Sequence, residues 1–494
     1  MCAMVSNRKD HDTVRDNSVV YIAANVLGKA YMFAALPILT GYLSVEEFGL
    51  YIIIVQIAVL IQSLGATLFS QALFRQHVNY ESDERKIFLG TLLLSSILVS
   101  MVLSASTFLL RDMIFSFGFP NIQQPDRGAF LVACIWSFMI SIRALLITFL
   151  KAQENPSRVL ANNVIYGIAL IGALLFFVVF LDRRIQGVFE SFLVSEIISL
   201  AFLWFYSKTY FLCRFSMAKL RSALNFGFPI FMGSLMVLVF TNSDRIALSH
   251  IVSAKEVGVY GLGLMIGNIV ALVVTSYVSS YSARMVHLAK NSQSEHLHLV
   301  HTQLVKSGLR QVGFSASVLV IVSGTLVFLL GRDEAYSESA FIACGIAAGH
   351  FIRSLYLYFQ NSLFVEDRAR DIFRLNVFLL IFGILVVLGM TYAFGAVGAS
   401  FSGGLVYLVM SFVGKRASSD VPWVKIPLQV VFLPASSIVV LLLMEFMKTI
   451  YDYDLYDVGF WALSALEVTV LFVFWRGLIK STVQLVVGKI VRVR

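Results

Sequence analysis

Apolar runs long enough to cross a bilayer follow one another along almost the whole chain. A helix needs about 20 predominantly apolar residues to span the hydrocarbon core. Backbone amides left unpaired in lipid are too costly for any spanning form except a helix or a closed barrel. The runs are long and lack strand-like alternation, so they specify helices. About fourteen are legible, near 18–41, 47–70, 87–110, 128–150, 158–181, 188–207, 224–248, 258–283, 311–331, 339–360, 372–393, 396–414, 427–448 and 458–476. Composition agrees. Of the 494 residues 58% are hydrophobic and only 14% charged, and mean hydropathy is +0.83, whereas a soluble domain is about a quarter charged.

The chain also repeats. Ser44-Val-Glu-Glu47-Phe-Gly49-Leu-Tyr51 recurs as Ser253-Ala-Lys-Glu256-Val-Gly258-Val-Tyr260, an offset of 209. Ala133-Cys134 and Ile142-Arg143 recur as Ala343-Cys344 and Ile352-Arg353, an offset of 210. That distance covers six spans. An even number restores orientation, so the halves are expected to be parallel repeats related by an axis along the membrane normal.

The expected organisation follows. Residues 1–17 form a polar cytoplasmic arm (Arg8, Lys9, Asp10, Asp12, Arg15, Asp16) rather than a cleavable leader. Residues 18–207 form a first lobe of six spans, 208–223 an amphipathic cytoplasmic linker, and 224–414 a second lobe of six. Residues 427–476 add a hairpin of two spans, and 477–494 a basic tail. The loop 284–310 has the same amphipathic character as the linker.

Net charge is +9, but the basic residues are sorted by side of membrane, which argues against a nucleic-acid surface. One set of loops, beginning with the N-terminus, carries about 27 Lys and Arg, and the opposite set about 7. Basic residues are retained on the cytoplasmic side, so both termini are expected inside.

Four of the 38 basic residues then remain within spans: Lys29, Arg143, Arg245 and Arg353. A basic group at mid-bilayer costs roughly 2.5–3.5 kcal/mol on insertion scales. Lys29 and Arg245 lie on corresponding spans of the two halves, as do Arg143 and Arg353. If they converge, the gap between the lobes is a cationic chamber, suited to an anionic substrate. The competing outcome is pairing with acids, for which Glu190, Glu196, Asp244 and Glu467 are available. Lys29 can also snorkel, and Arg245 can reach headgroups. His350 stands three residues before Arg353 on one helix face and adds a titratable group or packs in the core.

The stretch Leu36-Pro37-Ile-Leu-Thr-Gly-Tyr-Leu43-Ser44-Val-Glu-Glu47-Phe48-Gly49-Leu50-Tyr51 resembles the opening of the polysaccharide transporters and O-antigen flippases. These belong to the multidrug/oligosaccharidyl-lipid/polysaccharide (MOP) superfamily. Phe226-Gly-Phe-Pro229, Asp244-Arg245, Glu256-Val-Gly258-Val-Tyr260 and Gly395-Ala-Val-Gly398 match at later points, so the resemblance covers roughly 18–415. It implies two six-helix lobes that rock in alternating access within a bacterial inner membrane. The implied cargo is an undecaprenyl-pyrophosphate-linked oligosaccharide, with a polysaccharide polymerase and a chain-length regulator as partners. A pyrophosphate is a concentrated anion that needs basic partners in a low-dielectric space. Two features depart from the pattern: Pro37 and Pro229 are not equivalent in the repeat, and the last two spans occur only in some relatives.

Other chemistry is weakly supported. The cysteines (Cys2, Cys134, Cys213, Cys344) suit neither a disulfide framework nor a zinc site. His296, His298 and His301 do not share one helix face, and Asp452-Tyr-Asp454 sits in a short outer loop. No metal, cofactor or ATP-binding motif is expected. A MATE-like multidrug/cation antiporter would need an acidic lumen. A membrane polysaccharide polymerase would need a large loop for its catalytic groups.

Overall fold

The computed structural model describes residues 31–76, 80–153, 155–212, 214–289, 294–421, 428–450 and 466–476. Lys29, the arm, the tail, Cys2, Cys213 and Asp452-Tyr-Asp454 lie outside the described residues. The described chain is helical throughout and divides into two units, Met1–Gly258 and Val259–Arg494.

In the first unit α1 (Tyr31–Tyr42) leads into α2 (Val45–Gln62), then a π-turn (Ser63–Thr67) and α3 (Leu68–Gln76). The start of α2 is set by a capping box. Glu47 N–H donates to Ser44 Oγ at 3.1 Å, and Ser44 N–H donates to Glu47 Oε2 at 2.9 Å, which satisfies two of the amides a helix start leaves open. There follow α4 (Ser82–Leu109), α5 (Arg127–Ala152), α6 (Pro156–Leu174), α7 (Arg184–Ser207) and α8 (Met217–Ile251). Their shared core includes Phe88, Leu92, Leu145, Phe149, Leu203 and Ala223.

The unit boundary falls after Gly258 rather than in the 208–223 linker, because α8 packs on α2, α3 and α4. Gln56 of α2 donates to the Asn242 carbonyl at 2.9 Å. The linker itself holds a short 3-10 turn (Lys208–Tyr210), and α8 already begins at Met217. The first turn of α9 (Ala254–Ala289) also belongs to this unit. A Cβ on Gly49 would meet the Ala254 carbonyl oxygen, and one on Gly258 the Val45 carbonyl oxygen. The two duplicated turns therefore lie backbone against backbone.

The second unit contains the rest of α9, then α10 (Ser294–Gly331), α11 (Ser339–Val365) and α12 (Ala369–Ala417). The 284–310 stretch is taken up by the end of α9 and the start of α10. The spans expected at 372–393 and 396–414 are the two arms of α12, separated by a break in the helix. Its kink is Gly395, at φ 57° and ψ −139°, a backbone region open in practice only to glycine. Arg368, in the α11–α12 turn, donates through Nη1 to both Asp420 oxygens at 2.7 Å and through Nε to Asp371 at 2.8 Å. It thereby clasps the two ends of α12. Last come α13 (Leu428–Ile450) and α14 (466–476). Leu441 and Met444 of α13 share a core with Val320 of α10 and Cys344 of α11.

Ten described helical segments are long and apolar enough to cross a membrane. The most apolar window of α12 is only 22% buried, and large side chains such as Phe180 and Tyr392 are about four-fifths exposed, at 78% and 83%. Water would penalise such surface heavily, whereas lipid does not. The chain is a multi-pass membrane protein.

Candidate functional site

Of the basic residues expected within spans, Arg143 and Arg353 are held by the same kind of scaffold in the two units, with different outcomes. Arg143 projects from α5 toward α7. Its Nε lies 2.7 Å from Glu196 Oε1, and the two side chains are 12% and 0% exposed. The guanidinium carbon stands 4.2 Å from the centroid of the Tyr166 ring on α6. Tyr31 of α1 packs edge-on against Tyr166, with centroids 5.1 Å apart. The charge of Arg143 is thus cancelled inside its own unit, the competing outcome left open by the sequence. Glu196 keeps Oε2 buried and without a hydrogen-bond partner among the described residues.

Arg353 projects from α11 toward the second half of α12. Its guanidinium carbon lies 5.7 Å from the centroid of Tyr407, and Nε is buried with no hydrogen-bond partner among the described residues. No described carboxylate reaches it within ion-pair distance. Tyr356, one turn along α11, has its ring centroid 5.8 Å from that of Tyr407. Tyr356 is 2% exposed, and its hydroxyl too is buried without a partner. One turn in the other direction, His350 Nε2 is 2.9 Å from Asn268 Oδ1 of α9. His350, Arg353 and Tyr356 thus form a row at three-residue spacing on one face of α11.

The remaining expected residues serve other contacts. Arg245 donates through Nη1 to Asn242 Oδ1 at 2.7 Å, and its backbone N–H donates to Asp244 Oδ1 at 2.8 Å. Glu190 pairs with Arg183 at 2.9 Å and accepts from Gln186 at 3.0 Å. Lys29 lies outside the described residues. His301 Nδ1 is 2.8 Å from the Tyr281 hydroxyl, and Cys134 and Cys344 are buried free thiols. Among the described residues no three His, Cys, Asp or Glu side chains are grouped to hold a metal ion.

Sequence reasoning marked the arginines and missed the tyrosines. Tyr166 and Tyr407 supply the π faces on which the guanidinium groups rest, an arrangement favourable by about 0.5–2 kcal/mol, and Tyr31 packs behind Tyr166. The only signal was a tyrosine inside an otherwise aliphatic span.

Comparison with known proteins places the scaffold. The family profile described as "Polysaccharide biosynthesis protein" matches residues 14–282. No curated protein matches the chain by sequence. Among solved structures, the lipid II flippase MurJ in an inward closed conformation superposes with a TM-score of 0.71 at 14% identity, covering 94% of this chain and 99% of that one. An inward-facing MATE family multidrug transporter of the MOP superfamily gives 0.62 at 14% identity, covering 81% and 98%. The Vibrio cholerae MATE transporter VcmN in its bent form gives 0.57 at 11% identity, covering 83% and 97%. With more than half of its length matched by the family profile, and its helices arranged as in these transporters, the chain belongs to the polysaccharide biosynthesis protein family.

Proposed function

We propose that this protein is a flippase for a lipid-linked oligosaccharide, moving an undecaprenyl-pyrophosphate-linked repeat unit of a surface polysaccharide such as O-antigen across the bacterial inner membrane by alternating access. The observation that carries the reading is Arg353, a basic side chain within a span that no described acid neutralises. Leaving it there costs a few kcal/mol, and the cost is offset when an anion docks. In the first unit Lys29 and Arg245 remain proposed anion contacts, Arg143 is balanced by Glu196, and Asp244 and Glu190, with His350 beside Arg353, are the pairing or ion-coupling groups. The structural neighbour titled as a lipid II flippase supports a lipid-linked cargo. The function is transport rather than catalysis, with a polymerase and a chain-length regulator acting on the delivered unit and both termini in the cytoplasm.

The test is complementation. A strain lacking the gene should regain polymeric surface polysaccharide with the parent protein and fail to regain it with Arg353→Gln at equal abundance, while lipid-linked units build up on the cytoplasmic leaflet. Full export by Arg353→Gln would remove the reading.

A MATE-like cation antiporter is the second reading, favoured by the 0.62 superposition. It requires acids open to cations, yet Glu196 is held by Arg143 and Glu190 by Arg183. Growth in the presence of cationic drugs separates the two readings.

A further inference from the structure

The two halves of the chain carry one arginine each at the same repeat position, but not the same neighbour. Near the end of each half, Gly187 and Gly398 stand 211 residues apart, and so do Ser191 and Ser402. On that register Glu196 corresponds to Tyr407. These are the two residues the arginines meet. Arg143 of α5 reaches Glu196 of α7, and Arg353 of α11 reaches Tyr407 of α12. One repeat thus sets a carboxylate against its guanidinium where the other sets a phenol ring.

The difference decides which charge is available. At Arg143 an incoming anion must displace a fully buried carboxylate. In a low-dielectric interior the pair attracts far more strongly than in water, and removing one partner strands the other charge. At Arg353 no described carboxylate has to be displaced. The guanidinium faces a ring, which leaves its N–H edge for an acceptor, and Nε is unsatisfied. The Tyr356 hydroxyl, 2% exposed and also unsatisfied, lies on the same face of α11. Two buried donors seeking acceptors beside an uncompensated positive charge suit a phosphoryl group, which offers several acceptor oxygens and negative charge together.

We propose that the duplicated arginines have separated in role: Arg353, with the Tyr356 hydroxyl, receives a phosphate or pyrophosphate anion, whereas Arg143 has its charge balanced by Glu196 and braces the first unit. The assignment deepens the flippase reading and rests on its anionic cargo.

The full-length protein in zwitterionic nanodiscs is titrated with inorganic pyrophosphate, farnesyl pyrophosphate and farnesol, and again in nanodiscs containing phosphatidylglycerol. Farnesyl pyrophosphate should bind and farnesol should not. Competition by inorganic pyrophosphate identifies a free phosphoryl site, and competition by phosphatidylglycerol alone identifies a headgroup site. Arg353→Gln should weaken binding on the order of tenfold or more. Tyr407→Glu, which gives the second unit the acid of the first, should weaken it on the order of tenfold beyond Tyr407→Gln. Glu196→Gln, which releases the charge of Arg143, should not weaken it. Thermal unfolding checks that each variant folds, and if Arg353→Gln does not, the comparison of the two Tyr407 variants decides. Parent-like binding by Tyr407→Glu overturns the assignment, as does a loss in folded Arg143→Gln equal to that in Arg353→Gln. Lost pyrophosphate binding with normal polysaccharide export would instead remove the flippase reading and leave the anion site. Normal binding with lost export in Arg353→Gln would do the reverse.

Discussion

A carboxylate deprived of its guanidinium in the middle of a bilayer has nowhere to place its charge. Glu196 is fully buried and Arg143 nearly so, so breaking the pair from either side should be costly. Glu196→Leu and Arg143→Met are each expected to destabilise the protein by about 3–5 kcal/mol. The double Arg143→Met/Glu196→Leu variant should recover most of that loss, because no uncompensated charge remains. Thermal unfolding of all four proteins in detergent measures the cycle, and additive single losses would show that the two charges do not act as a pair. At this scale the sequence exposed the arginines, since a charge inside an apolar span is conspicuous. It did not reveal which one is neutralised, because Glu196 was one of several acids within reach on paper.

The helices owe their limits to local chemistry that the sequence displays. Ser44 and Glu47 stand three apart ahead of an apolar run, and the structure closes them into a capping box. Ser44→Ala should cost about 1 kcal/mol, measured by the same unfolding assay. Gly395 was visible as the glycine between two expected spans, and the structure makes it the break between two helical arms whose far ends Arg368 holds together. Both arms meet α11: Gln360 donates to Asn376 before the bend, and a Cβ on Gly404 beyond it would meet Gly349. Gly395→Ala should cost about 1–3 kcal/mol, and a silent substitution would mean that the bend is not imposed at this residue. The 208–223 and 284–310 stretches read as separate amphipathic helices because they mix basic and apolar residues. Most of that length is instead absorbed into the helices that follow and precede it. Periodicity alone does not distinguish a helix lying on the leaflet from the protruding end of one that crosses it.

At the scale of the molecule, the clasp made by Arg368, Asp371 and Asp420 fastens the two ends of α12 together. The hydrogen bonds from Arg368 hold the Asp420 carboxyl below the usual carboxylate range. A lowered carboxylate contributes stability that is fully present above its unfolded pKa, about 3.9. The contribution is lost as pH falls through the lowered folded value. The stability difference between the parent and Asp420→Asn should therefore be constant from neutral pH down to about 4 and vanish in stronger acid. A difference that grows on acidification would contradict the clasp. The asymmetry of basic loops makes a further whole-molecule prediction: reporter fusions at the N- and C-termini should both read cytoplasmic.

What the sequence determined by itself is the membrane-spanning helical class, the duplication and the presence of charge within the spans. Each is written along the chain, in runs of about 20 apolar residues, in a repeat offset, and in single residues that break the pattern. What only the tertiary structure decided is which of the duplicated arginines has its charge balanced by a carboxylate. Glu196 lies two helices beyond Arg143, and Tyr407 lies past the break of the helix that follows that of Arg353, so the side chain that settles there is fixed by how the helices pack. A guanidinium is neutralised by proximity in space, and proximity across helices is not recorded in linear spacing.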